Sequence, residues 1–139
     1  MTDEEKQLLL KDLCARLPYG VKAKITEESV LSYDSGSGIG VIVGKEYVDN
    51  EIFILQGKND SYCLTVISEF IPYLRKMPDI QDPLLNELND LITNKTFYEI
   101  TAIAQDWYNK HHFDYRGLIE KGLALEAPEG MYEIVPTSI

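Results

Sequence analysis

Cysteine and histidine are both scarce, two of each in 139 residues. Two cysteines cannot build the disulfide framework of a small secreted domain. Cys14 falls in an apolar helical pattern and Cys63 in a strand-like run, which predicts two reduced core thiols. The histidines are neighbours, His111 and His112, and adjacent helical residues point about 100° apart, so the two rings do not readily share one metal. Neither a metal nor a cofactor is expected. The longest apolar runs are far too short to cross a bilayer. The start, Met1-Thr2-Asp3-Glu4-Glu5, has neither the basic residues nor the long apolar stretch of a signal peptide. The expected location is the cytoplasm, with no membrane partner.

Positive charge is also in deficit: 13 Lys and Arg stand against 23 Asp and Glu, for a formal net charge of -10. Residues 1–70 hold 7 basic and 12 acidic side chains and residues 71–139 hold 6 and 11, so each half is at -5. Phosphate backbones repel such a chain unless folding gathers Lys22, Lys24, Arg75 and Lys76 into one patch, and a nucleic-acid partner is disfavoured.

Catalytic signatures are missing as well. There is no G-x-S-x-G elbow and no H-E-x-x-H pair. Gly36-Ser37-Gly38-Ile39-Gly40 is rich in glycine, but its spacing fits neither a dinucleotide fingerprint nor a phosphate loop, and it leads into a strand rather than a helix. A hairpin turn is expected there.

What is present suits one α+β domain spanning residues 1–139: 45% apolar and 26% charged residues in a chain of one-domain length. A helix is predicted within residues 1–17, from about Thr2 to Arg16. Thr2 and Glu5 have capping-box spacing, and Leu10, Leu13, Cys14 and Leu17 form the expected buried stripe. Pro18 ends it and Tyr19-Gly20 turns the chain. Residues 21–71 are strand-rich. Candidate strands are Val21 to Ile25, Val30 to Tyr33, Ile39 to Val43, Glu51 to Leu55 and Tyr62 to Ile67, separated by turns at Asp34 to Gly38, Gly44-Lys45 and Gly57 to Ser61. Short strands with tight connections predict an antiparallel meander, with curling into a small SH3-like barrel as the further expectation. Ile71 to Pro78 reads as extended.

Residues 80–125 read as helical. Asp82-Pro83 opens one helix with Leu84, Leu88, Leu91 and Ile92 on its apolar face and Asn94 at its end. Thr96 and Glu99 open the next, with Ile100, Ile103, Ala104, Trp107 and His111 on its stripe. A short helical turn ending at Gly122 follows, and Leu123 to Leu125 returns to the sheet. A loose tail is expected over residues 128–139, with Tyr132 to Val135 a further candidate strand.

The polar and aromatic groups that bear chemistry crowd into one region: Tyr108, His111, His112, Asp114, Tyr115 and Arg116 are the candidate binding residues. Imidazoles beside a carboxylate are proton-shuttling and metal-binding chemistry. The competing reading is helix-end hydrogen bonding for the histidines and an ion pair or cap for Asp114 and Arg116. Core packing accounts for Trp107, while exposed Tyr108 and Tyr115 would suit a protein interface.

Four stretches carry a resemblance: residues 8–22 (LLLKDLCARLPYGVK), 71–77 (IPYLRKM), 112–119 (HFDYRGLI) and 122–132 (GLALEAPEGMY). Together they resemble a family of small uncharacterised proteins carried in many copies by gut anaerobic bacteria and their prophages. The chain departs from that family in its tail from Glu133 to Ile139 and in the turn around Asp34 to Gly38. The resemblance implies a bacterial, mobile-element setting and assigns no activity. The leading expectation is therefore a non-enzymatic binding or accessory module that contacts another protein, its oligomeric state open. A small enzyme near Asp106, His111, His112 and Asp114 is an alternative. A nucleic-acid module, or an acidic mimic of DNA, is another.

Overall fold

The computed structural model describes residues 1–25, 38–46, 48–49, 51–57 and 61–132. The candidate strand Val30 to Tyr33, most of the turn from Asp34 to Gly38, and the candidate strand at Tyr132 to Val135 beyond its first residue lie outside them.

Helix α1 spans Asp3–Arg16. Its capping box forms as the sequence predicts: Glu5 N donates to Thr2 Oγ1 at 3.1 Å, and Thr2 N donates to Glu5 Oε1 at 2.9 Å. A single 3-10 turn, Leu17–Tyr19, follows and ends at Gly20, whose φ of 66° is the left-handed conformation that glycine enters without a Cβ penalty.

The sheet then runs β1 (Lys22–Ile25), β2 (Ile39–Lys45), β3 (Ile52–Gln56), β4 (Tyr62–Val66) and β5 (Phe70–Leu74). The helices α2 (Leu85–Ile92) and α3 (Phe97–Lys110) form a hairpin, and β6 (Leu125–Glu126) returns to the sheet. The architecture is α+β: one N-terminal helix, a six-stranded mixed sheet and C-terminal helices. Strand order is β4-β3-β2-β1-β5-β6.

Two expectations are corrected here. The sheet is open and not a barrel. Its edges are β4 and β6, and closure needs the outermost strands to pair with each other. Nor is it a pure antiparallel meander. Residues 70–74 pair antiparallel with β1 through Ala23 and Pro72, and β6 then joins β5 in parallel from Tyr73 and Leu125. Pro72, which has no N–H to donate, sits where β5 is paired on its β1 side and β6 has not yet begun.

Alternation divides the sheet into two faces. Val21, Ala23, Ile25, Ile42, Phe53, Leu55, Phe70 and Leu74 point inward, and α1 covers them with Leu9 and Leu13 in one continuous core. Phe53 and Phe70 meet edge to face at 5.6 Å. The buried stripe of α1 has the expected period but is displaced by one residue: Leu9, Asp12, Leu13 and Arg16 are buried. Cys14 is exposed and Cys63 half-buried, so the expectation of two core thiols fails. The helical hairpin has its own small cluster, Leu88, Trp107 and Phe113, with Ile103 and Ala104 packed against it. Its far end is bare, with Leu91, Phe97 and Tyr98 exposed.

Candidate functional site

All six candidate binding residues converge where α1, the end of β5 and the end of α3 meet. The chain leaving α3 is stitched onto β5 by its backbone. Arg75 N donates to His112 O at 2.8 Å, and Asp114 N donates to Arg75 O at 2.8 Å. Asp114 then closes the next loop, its two carboxylate oxygens accepting from Leu118 N at 2.8 Å and Ile119 N at 2.9 Å.

Helix α1 supplies a charged clamp. Asp12 and Arg16 lie one turn apart, and both side chains are 0% exposed. Arg16 Nε donates to Asp12 Oδ2 at 2.8 Å, and Arg16 Nη2 donates to Asp12 Oδ1 at 3.1 Å and to Phe113 O at 2.7 Å. Arg116 Nη1 reaches the same carboxylate at 2.8 Å. One buried carboxylate thus holds two guanidinium groups, and one of these grips the backbone of the candidate segment. A buried ion pair offsets its desolvation only as far as its remaining hydrogen bonds are made. The Phe113 carbonyl and Arg116 supply two of them, while Arg16 Nη1 has no hydrogen-bond partner among the described residues.

The aromatic rings fill the space between these charges. Tyr115 has Arg16 at 5.3 Å and Arg116 at 4.6 Å from its ring centre, and it stacks on Tyr108 at 5.5 Å. Both tyrosines are half-buried. Arg75 lies 4.3 Å over Phe113 and donates to His111 O at 3.3 Å. Burial holds the Arg75 pKa below its ordinary value.

The histidines point to different neighbours. His111 packs 4.6 Å from Trp107 with its Nε2 3.7 Å from Glu87, and burial lowers its pKa. His112 takes a left-handed backbone, φ 63°, uncommon for residues other than glycine although histidine, like asparagine and aspartate, enters it more readily than most. Its ring lies flat on Tyr132 at 3.9 Å. Burial first, then the positive charges of Arg16, Arg75, His111 and Lys22, push its pKa down to about 4. His112 is therefore neutral near pH 7.

Tyr132 is pinned in turn. Its hydroxyl accepts from Lys22 N at 2.8 Å and donates to Tyr73 O at 2.7 Å, and burial raises its pKa. The expected loose tail is therefore anchored as far as Tyr132. Residues 133–139 lie outside the described residues. Lys22, His112 and residues 130–132 line a cleft of about 370 Å3. A neighbouring cleft of about 450 Å3 holds Arg75 and Lys76 together with Glu126 and Glu129, so the cations there are interleaved with carboxylates. Among the described residues, no three His, Cys, Asp or Glu side chains converge as metal ligands.

A second candidate surface was not signalled by any motif. The outward sheet face carries Ile39, Val41 and Val43 on β2, Ile52 and Ile54 on β3, Tyr62, Leu64 and Val66 on β4, and Ile71 and Tyr73 on β5. Cross-strand pairs fix this assignment: Lys22 with Val41, Lys24 with Ile39 and Ile71, Ile54 with Leu64, and Ile52 with Val66. Val43 is 43%, Tyr62 61% and Leu64 62% exposed. Lys22 and Lys24 border the apolar area on β1. The signal in the sequence was the run of apolar residues on both parities of β2 and β3, which alternation assigns to two apolar faces rather than one.

The fold and these two surfaces define an α+β protein with an internal charged clamp at one end of an open sheet and an outward apolar face that residues 128–131 border at Ile39 and Val41 and that is exposed at Val43, Tyr62 and Leu64. No protein-family profile, curated protein or solved structure matches the chain. Among the described residues, no helix is long and apolar enough to cross a membrane.

Proposed function

We propose that this chain is a non-enzymatic protein-binding or accessory module, working in the cytoplasm of a bacterium and carried by a mobile element. The resemblance noted in the sequence supports the setting. The outward apolar face of the sheet is the observation that carries the binding role. Contiguous apolar surface rimmed by polar residues marks contact sites, and here the rim includes Lys22 and Lys24.

The histidine region supports the same reading by what it is occupied with. Both oxygens of Asp114 accept backbone N–H groups, and Asp106 accepts from Tyr19. His112 at a pKa of about 4 is a weak proton acceptor near neutral pH, where acid–base catalysts work best. For the nucleic-acid alternative, Lys76 already pairs with Glu126 at 3.3 Å.

The test is capture of partners from native lysate by tagged protein, with nuclease present. The variant Val41→Lys/Val43→Lys places two charges on the outward face, at half-buried Val41 and exposed Val43, while the inward-facing core residues stay as they are. A stoichiometric partner should be lost with this variant while its melt stays cooperative, which shows that the chain still folds. Equal capture by parent and variant sinks the proposal.

A further inference from the structure

We infer that β4 is a docking edge for a second copy of this chain, pairing antiparallel with itself about a two-fold axis at Leu64. This rests on reading the outward face as a contact surface, and it names one occupant of that surface's β4 border. Strand β4 ends the sheet, and it pairs only with β3 among the described residues. An edge strand presents a row of unpaired N–H and C=O groups, and proteins blunt such edges with charge, proline or bulges. Tyr62–Val66, YCLTV, has none of these: no charged residue, no proline, and an unbroken five-residue register against β3.

The strand is complementary to itself. With Leu64 on the axis, Leu64 faces Leu64 of the partner subunit, and Tyr62 faces Val66 of the partner subunit, all on the outward face. Cys63 faces Thr65 of the partner subunit on the inward face. No like charges meet. The register works whichever way the Leu64 backbone points. If its N–H and C=O face outward, the two Leu64 residues exchange hydrogen bonds, and if they face β3, residues 63 and 65 do so instead. The product is a twelve-stranded sheet whose two apolar faces run into one platform. This is the isologous geometry of a closed dimer.

The size of the contact sets its strength. Five residues give about 17 Å of paired edge, which falls short of the ~1,600 Å2 of a standard interface. Each copy also carries a net charge of -10. The dimer is therefore weak, in the micromolar range, and strengthens with salt as the repulsion is screened.

Sedimentation equilibrium of the full chain, from about 10 µM to about 500 µM, reads this directly. The mass should rise from 15.8 kDa toward twice that value with concentration, and more steeply at about 0.5 M than at about 0.05 M NaCl. Leu64→Glu, at a position 62% exposed, should keep its fold and weaken association at least tenfold. Leu64→Cys should oxidise to a covalent dimer, because facing residues in an antiparallel pair lie within disulfide reach. Val43→Cys, two strands away, should not. A parent chain that stays monomeric at every concentration and salt, or Leu64→Glu associating as the parent does, overturns the inference. So does capture of a foreign strand at β4 in place of a second copy. A monomeric parent whose partner is still lost through Val41→Lys/Val43→Lys overturns the dimer alone. A dimer whose captured partners ignore that variant removes the protein-binding role and leaves the dimer standing.

Discussion

Breaking the clamp between α1 and the segment after α3 should be the most damaging polar change in the protein, and replacing the whole buried pair should not be. Asp12 is 0% exposed and holds both Arg16 and Arg116. Asp12→Leu leaves the Arg16 guanidinium fully buried with a single carbonyl, Phe113 O, to accept from it. Stranding one member of a buried ion pair costs about 3–5 kcal/mol. Unfolding entropy of ~2.1 cal/mol/K per residue gives 139 residues about 0.29 kcal/mol/K, so the loss corresponds to about 10–17 °C in melting temperature. The double variant Asp12→Leu/Arg16→Met removes the fully buried stranded charge and fills the same volume, leaving only Arg116, which is 15% exposed, without its carboxylate. Exchange of buried pairs for apolar side chains is often neutral or better. The double variant should therefore recover about 2 kcal/mol or more relative to Asp12→Leu. The assay is a double-mutant cycle in urea, read by circular dichroism, with thermal melts alongside. Two results refute the reasoning: a cost below about 1 kcal/mol for Asp12→Leu, or a double variant whose loss equals the sum of the single losses.

Two further outcomes follow from the same cluster. His112 has a folded pKa of about 4 against an ordinary value of 6.5, so between these pH values the unfolded chain takes up a proton that the folded chain refuses. Stability should fall by up to about 3 kcal/mol as the pH drops from 6.5 to 4 and the contribution should level off below that. In His112→Asn, which keeps a residue suited to positive φ, the pH 4 to pH 6.5 difference should shrink by that amount, and urea titrations at both pH values check it. Asp114→Ala strips the acceptor from two backbone N–H groups and should cost about 2–4 kcal/mol, with Asp114→Asn in between, as measured by melting; an unchanged melt would mean the loop is held elsewhere.

Much of this was readable in advance where local chemistry decides. Thr2 and Glu5 satisfy each other across one turn, and no distant residue is needed to predict it. Val21, Ala23 and Ile25 alternate with Lys22 and Lys24, the period of a half-buried strand, and the structure buries all three apolar residues. Helix α1 shows where local reading stops. Leu10, Leu13, Cys14 and Leu17 and the observed Leu9, Asp12, Leu13 and Arg16 share one period. The phase was lost because charge at Asp12 and Arg16 argues for solvent unless each is known to bury the other's charge. That knowledge is tertiary: it needs Phe113 O and Arg116, about a hundred residues away. Ile71 to Pro78 reads only as extended for a related reason. Pro72 argues against a central strand, and its tolerance depends on where β6 begins. The candidate cluster was located from its residue types. Its joint use with α1 was not visible, because nothing in the local pattern from His111 to Arg116 points to residues 12 and 16.

The two features this structure singles out lie at opposite ends of the sheet, and that separation has consequences. Asp114 is fastened beside β5 and Leu64 lies on β4, four inter-strand spacings of about 4.8 Å apart, or roughly 19 Å. Residues so far apart with no shared partner contribute independently to stability, within about 0.5 kcal/mol. Asp114→Ala should then lower stability without altering association of the molecules that remain folded, and Leu64→Glu should do the reverse. Arg16, Arg75 and Arg116 are drawn inward around Phe113 and Tyr115 at the β5 end. At the β4 end, YCLTV places no side chain of either charge. Association there depends on backbone pairing and apolar contact, and the net charge of each copy limits how tightly two copies hold.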